Sequence, residues 1–193
     1  MRRRLFAPFA LLAAVLLSAA GYRAFTVTGS ANGAVSFNES VNTTFGSTVK
    51  ASVTPQFSLN QTFTSGTGSG SVDVKWCVND TIAASSQDTL DLAGVLTNEF
   101  ATTTTFATVK VLALKAATTN SNNVWIGGAA ANRFNSFLKD SSVVVVRPGY
   151  MVMLWGPGTG YAVTAATADR LLIKNSGAGT PIVYNLCIAG TST

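Results

Sequence analysis

Ile182-Val183-Tyr184-Asn185-Leu186-Cys187-Ile188 decides the fold class. Its large apolar residues fall on every second position, and a strand with that period sorts its side chains onto two faces. Upstream, Val109-Lys110-Val111-Leu112-Ala113-Leu114 and Val143-Val144-Val145-Val146 have the same character, and breaks of Gly, Pro, Asn or Ser separate such runs from Val72 to Thr193. Strands of this length at this spacing predict an all-β antiparallel sandwich, jelly-roll-like.

Within that region Val72, Val74, Trp76 and Val78 are expected on one face, with Asp73, Lys75 and Cys77 on the other. The run from Thr105 to Ala117 puts Lys110 and Lys115 on opposite faces if it is one regular strand, a conflict that a bulge or bend between them would remove. Residues 129–139 are expected to hold one helical turn, packing Phe134, Phe137 and Leu138 inward.

Three segments follow. Residues 1–24 form a signal-like hydrophobic segment or arm, residues 25–71 a Ser/Thr/Asn-rich β arm or outer layer, and residues 72–193 the sandwich. In the second, Phe25–Thr28 and Ala34–Phe37 read as two strands around Gly29-Ser30-Ala31-Asn32-Gly33, and Pro55 marks a break or an edge. Ser65-Gly66-Thr67-Gly68-Ser69-Gly70-Ser71 reads as a flexible joint or a wide hairpin tip. It cradles no phosphate, because a strand follows it and not a helix start.

Arg2-Arg3-Arg4, an apolar run to Leu17 and small residues at Ser18 and Ala20 form a secretory signal pattern with cleavage after Ala20. The same three arginines account for much of the net charge of +5, since removing them from 13 basic residues leaves 10 against 8 acidic ones, a net +2. A nearly neutral body without a basic run lacks the electrostatic footprint of nucleic-acid binding. Only 11% of residues are charged, against about 25% in an average soluble chain. Ser, Thr and Asn replace the charge, a surface suited to packing against copies of itself.

Catalytic residues are not identified. The chain has no His, which removes Ser-His-Asp and Cys-His catalysis and His-ligated zinc. Asp88, Asp91, Asp140 and Asp169 sit beside strand ends, where Asp usually fixes a turn. Asp88 and Asp91 are the pair considered for a calcium ion, without the spaced acidic loop such a site normally has; no cofactor or metal is expected. Trp125, Trp155, Tyr150 and Tyr161 are the aromatics expected to face an interface or a ligand.

Leu90–Leu96, Phe106–Lys110, Asn123–Ala129, Val145–Gly149, Thr167–Gly177 and Tyr184–Gly190, in that order and spacing, resemble small β-sandwich structural proteins of tailed-phage virions. The resemblance covers roughly Val72 to Thr193 and implies a non-enzymatic particle component such as a capsid decoration, vertex, fibre-base or minor capsid protein. Its partners would be other virion proteins and its own copies in a homo-oligomer, with a membrane involved only if the N-terminal segment stays as an anchor. Cys77 and Cys187 both fall on the strand face opposite the large apolar residues. A reducing assembly compartment would leave them as thiols, the favoured expectation, whereas export would allow a bridge between the first and last strands of the body. The signal-like start departs from this pattern and supports the alternative, an exported cell-surface or carbohydrate-binding sandwich, secreted or in the cell envelope.

Overall fold

The computed structural model describes residues 26–42, 48–97, 101, 103–134, 136–138 and 142–192, with backbone alone for 34–42 and 48–59. The signal-like segment lies outside the described residues. Among them there is no helix, so the helical turn expected over residues 129–139 is replaced by bends and a turn at Ser136–Leu138. Phe134 is nevertheless buried, and Phe137 packs against the core beside it.

The strands are β1 (Gly29–Asn42), β2 (Thr48–Ser65), β3 (Ser71–Val72), β4 (Val74–Ile82), β5 (Gln87–Asp91), β6 (Leu96–Thr97) and β7 (Thr103–Thr104). They continue with β8 (Thr108–Ala116), β9 (Val124–Gly127), β10 (Val143–Val146), β11 (Met151–Trp155), β12 (Tyr161–Ala162), β13 (Arg170–Asn175) and β14 (Ile182–Thr191). One sheet runs β10-β9-β13-β5 and the other β11-β8-β14-β4, with β12 added to β8. Setting aside the β1–β2 pair and the two-residue strands, β4 pairs with β14, β5 with β13, β8 with β11 and β9 with β10, all antiparallel. First with last, second with next to last, and so inward: this nested pairing is the jelly roll.

Alternation in β14 explains its place. Ile182, Tyr184, Leu186 and Ile188 are buried, whereas Asn185 and Cys187 are exposed. Facing them across the sandwich, Ile126, Leu171 and Ile173 close one core with Trp76, Leu112 and Leu114. Trp76 donates its indole N–H to the Thr97 carbonyl at 2.9 Å, so its one polar atom is satisfied.

The Lys110 conflict is resolved by a bulge. In the β14–β8 ladder Gly190 stands opposite Val109 and Ala189 opposite Val111, leaving Lys110 as the extra residue. Val109 and Leu112 both reach the core in consequence.

A second apolar cluster lies on the outer side of the β8 sheet. Ala31, Phe63 and Val72 are buried there against Val111, Met153, Trp155 and Ala189. Val72 therefore faces this outer cluster, apart from Val74, Trp76 and Val78, and the strand breaks between them at Asp73. Asp73 is itself used: its carboxylate accepts from the Ser192 N–H and hydroxyl at 2.7 and 2.6 Å, tying the body's entry to its exit.

β1 runs straight through Gly29–Gly33, where a turn was expected. The glycine there answers a different need: a Cβ on Gly33 would lie 2.7 Å from the Trp155 ring, so strand and indole approach where only glycine fits. β1 and β2 form an antiparallel ribbon, and Pro55 falls in its one register shift, between Val53 and Phe57. The Ser/Gly stretch that follows is no free joint. Lys110 is 3% exposed and its ammonium donates to the Gly68 and Ser71 carbonyls at 2.5 and 2.8 Å, while Gly70 N–H and Ser69 hydroxyl donate to the Pro157 carbonyl.

Cys77 and Cys187 stand directly opposite one another on β4 and β14, with Cα atoms 4.1 Å apart, and form a disulfide. The expectation of two thiols is corrected by register: both cysteines were placed on the outer face by alternation, and the ladder makes them neighbours. A cytoplasmic argument weighed against a bond, but virion and cell surfaces are also oxidising.

Candidate interaction surfaces

β10 and β11 are each the edge strand of their sheet, and the Arg147–Tyr150 turn joins them across the open side of the sandwich. Edge strands expose unpaired backbone groups and are usually blunted by charge or proline. Here the exposed side chains are apolar apart from Arg147 in the turn: Val145 is 50% exposed, Tyr150 66% and Met151 59%, with Val143 beside them. A hollow of about 410 Å³ runs between the two strands, lined by Val144, Val145, Val146, Arg147, Tyr150 and Val152 among others. Val143 and Val145 belong to a run of four valines that also sends Val146 into the core. Of the large apolar side chains exposed among the described residues, Val143, Val145, Tyr150 and Met151 lie on or between β10 and β11, and Val95 and Tyr161 lie elsewhere.

The four aromatics singled out from the sequence occupy different places. Trp125 lies half-buried on the outer face of the β9 sheet, where Val145 and Lys174 stand opposite it on either side. The Lys174 ammonium lies 5.7 Å from the indole centre, a cation–π contact, and the two share a shallow hollow of about 200 Å³ with Gln87 and Gly128. Trp155 packs beneath the ribbon base on the opposite sheet, its indole N–H buried without a partner. Tyr150 belongs to the β10–β11 turn, and Tyr161 on β12 meets Phe137 edge-on with ring centres 6.1 Å apart. They do not converge on one platform.

The acidic residues are likewise dispersed. β5 places Asp88 and Asp91 on opposite faces by alternation, so they cannot share an ion. Asp91 accepts from the Gly94 N–H at 2.8 Å and lies 3.7 Å from the Arg170 guanidinium. Asp169, 4% exposed, accepts from the Ala166 N–H and so fixes the turn before β13; its other oxygen has no partner. Burial, and then the nearby Asp80 carboxylate, hold the Asp88 carboxyl above the usual range. Tyr184 stands beside Asp80 in the ladder, and burial followed by repulsion from Asp80 and Asp88 pushes its hydroxyl well above the ordinary value. It stays a protonated donor at neutral pH and offers no base. Asp140 and Glu99 lie outside the described residues. Among the described residues no three of His, Cys, Asp or Glu gather as a metal site, and no helix is long and apolar enough to cross a membrane.

Sequence reasoning missed Lys110 as an anchor. Its mid-strand position among apolar neighbours was the available signal, since a lysine there must find acceptors or bend the strand. The apolar edge was half visible, in the valine run; that β10 lies at an edge is a property of strand order. A comparison with known proteins finds no matching family model, no matching curated protein and no matching solved structure, so the edge and the ribbon stand as the features from which function is read.

Proposed function

We propose that the chain is a non-enzymatic structural component of a bacteriophage particle, a capsid decoration or minor capsid protein that binds the capsid and its own copies. The observation that carries this is the exposed apolar edge Val143, Val145, Tyr150 and Met151 on a body with few charges. Patches of this kind on an otherwise polar surface mark interaction sites. Jelly rolls serve viral capsids, lectins and cupins alike, so the fold is compatible with a shell role, and the exposed apolar edge is what favours that role here. Binding would come from burying apolar and neutral polar area, with symmetry multiplying contacts that are individually weak. Mass spectrometry of purified particles tests it: this protein should be present in stoichiometric amount and resist removal by salt, and its absence overturns the reading.

A second reading has its own support. The Cys77–Cys187 disulfide suits an exported protein, and Trp125 with Gln87 and Lys174 in one hollow suits a sugar ring stacked on the indole. An exported carbohydrate-binding sandwich should start at Gly21 after processing and should lose glycan binding on Trp125→Ala.

A further inference from the structure

The outer face of the sheet that holds β5, β13 and β9 gathers an indole, two cations and several neutral polar groups. Leu171 and Ile173 of β13 point into the core, so Arg170, Leu172 and Lys174 lie on the outer side by alternation. The register sets Gln87 opposite Lys174 and Lys174 opposite Trp125. Two residues along, Thr89 stands opposite Leu172. Gln87 and Thr89 are exposed, while Trp125 and Lys174 are half-buried.

Leu172 is 7% exposed and floors a groove whose wall is an arch of chain. Gly127 and Gly128 have φ of 100° and 79°, which glycine adopts without steric cost, and there the chain leaves β9. It returns to β13 at Asn132, whose carbonyl accepts from the Asp169 and Arg170 N–H groups at 3.0 and 2.8 Å. The Arg133 guanidinium donates to the Ala129 and Ala130 carbonyls and so fixes the arch. A hollow of about 390 Å³ lies between the arch and β5, with Thr89, Asn132 and Arg170 in its lining. It shares Gln87, Ala130 and Leu172 with the hollow at Trp125 and Lys174, so the two form one groove.

Charge and hydrogen-bonding capacity select the occupant. Asp91, opposite Arg170 in the ladder, is held by that guanidinium and by the Gly94 N–H. Among the described residues the Lys174 ammonium meets no carboxylate, and its one recorded contact is the Trp125 ring. The groove thus has an excess of positive charge on a nearly neutral body. Gln87, Thr89 and Asn132 can each donate and accept, as the hydroxyls of a sugar require. Arg170 and Lys174 are four residues apart on one face, about 13 Å at 3.3 Å per residue, a span longer than one sugar ring.

We infer that this groove binds an acidic polysaccharide, a chain of pyranose rings that bear carboxylates. One ring lies on the exposed part of the Trp125 indole with its carboxylate on the Lys174 ammonium, and the chain continues past Gln87 and Thr89 toward Arg170. This deepens the carbohydrate-binding reading and rests on it, whether the protein sits on a particle or in an envelope.

The test is calorimetric titration of the purified full chain with oligomers of polygalacturonate, alginate and polysialic acid, each compared with its carboxylate methyl ester, and with polyglutamate. At least one acid form should bind, and its ester, which keeps the rings and loses the charge, should bind about tenfold more weakly, as the loss of a charge-assisted hydrogen bond predicts. Lys174→Gln should remove most of that preference, and Trp125→Ala should abolish binding of both forms, with a retained thermal midpoint showing an intact fold. If Trp125→Ala unfolds, Gln87→Ala, at an exposed position, replaces it and should weaken both forms alike. Equal binding of acid and ester, or a preference that survives Lys174→Gln, overturns the acidic ligand and leaves sugar binding standing. Absence of binding to every glycan, or equal binding of polyglutamate, overturns both.

Discussion

Gly190 lies so close to Thr108, the residue before its ladder partner Val109, that a Cβ on Gly190 would lie 1.8 Å from the Thr108 carbonyl oxygen. The approach occurs where Lys110 bulges out of β8. The obstacle is backbone, which cannot swing aside as a side chain would. Gly190→Ala should cost about 3 kcal/mol, the upper part of the range for overpacking, read as a lowered denaturant midpoint at unchanged slope. An alanine variant as stable as wild type would show that the ladder tolerates a wider spacing there.

Lys110 holds the Gly68 and Ser71 carbonyls from within the sheet. Lys110→Met keeps most of the aliphatic stem and removes the donor. It should cost about 1.5–3 kcal/mol, as hydrogen bonds to charged groups do, and speed hydrogen exchange at Ser71, whose amide bonds to Gly68 across the turn. Exchange in the β13–β9 ladder should be unaffected in pattern.

Reduction of Cys77–Cys187 should destabilise the fold without dissolving it. The bond closes a span of 110 residues, for which loop entropy gives roughly 4–5 kcal/mol at most. The ladder on either side, from Ile182 opposite Ile82 to Gly190 opposite Val74, remains. Since both cysteines are exposed, a mild thiol reductant should suffice, and a Cys77→Ser/Cys187→Ser variant should match the reduced protein in thermal midpoint.

Asp88 gives a pH prediction. Its folded carboxyl binds a proton more tightly than the unfolded chain at 3.8, because of burial and then Asp80. Its contribution to stability is therefore most favourable below 3.8, falls as pH rises through the raised folded value, and stays lower above it. Asp88→Asn should raise the denaturant midpoint at pH 7, and the difference from wild type should vanish near pH 3. The effect is modest, because the group is partly solvated.

The alternation in β14 made the all-β class legible, and the conflict of Lys110 with Lys115 called for a bulge or bend, which the ladder places at Lys110 itself. Both are local: period two and a misplaced charge are written in a few consecutive residues. Strand order is not. That β4 lies beside β14, and Cys77 beside Cys187, depends on pairing across more than a hundred residues, so alternation gave the face of each cysteine and left bridge and thiols as two open readings. Gly33 misled for a related reason, as a glycine that admits Trp155 looks the same in sequence as one that makes a turn. The pairing of β1 with β2 becomes readable only with the register, which sets Val35 against Phe57 and Asn38 against Ser52.

The Cys77–Cys187 bond also fixes where a pulling force can travel. A load applied between the ribbon side and residues after β14 enters at Cys77 and leaves at Cys187, crossing one covalent bridge. The residues between them, nearly the whole jelly roll, lie on a side branch that bears no tension. Stretching can peel the ribbon and the Ser/Gly stretch, whereas the body cannot be unravelled from its ends. An oxidised molecule is a rivet, and a reduced one a zip.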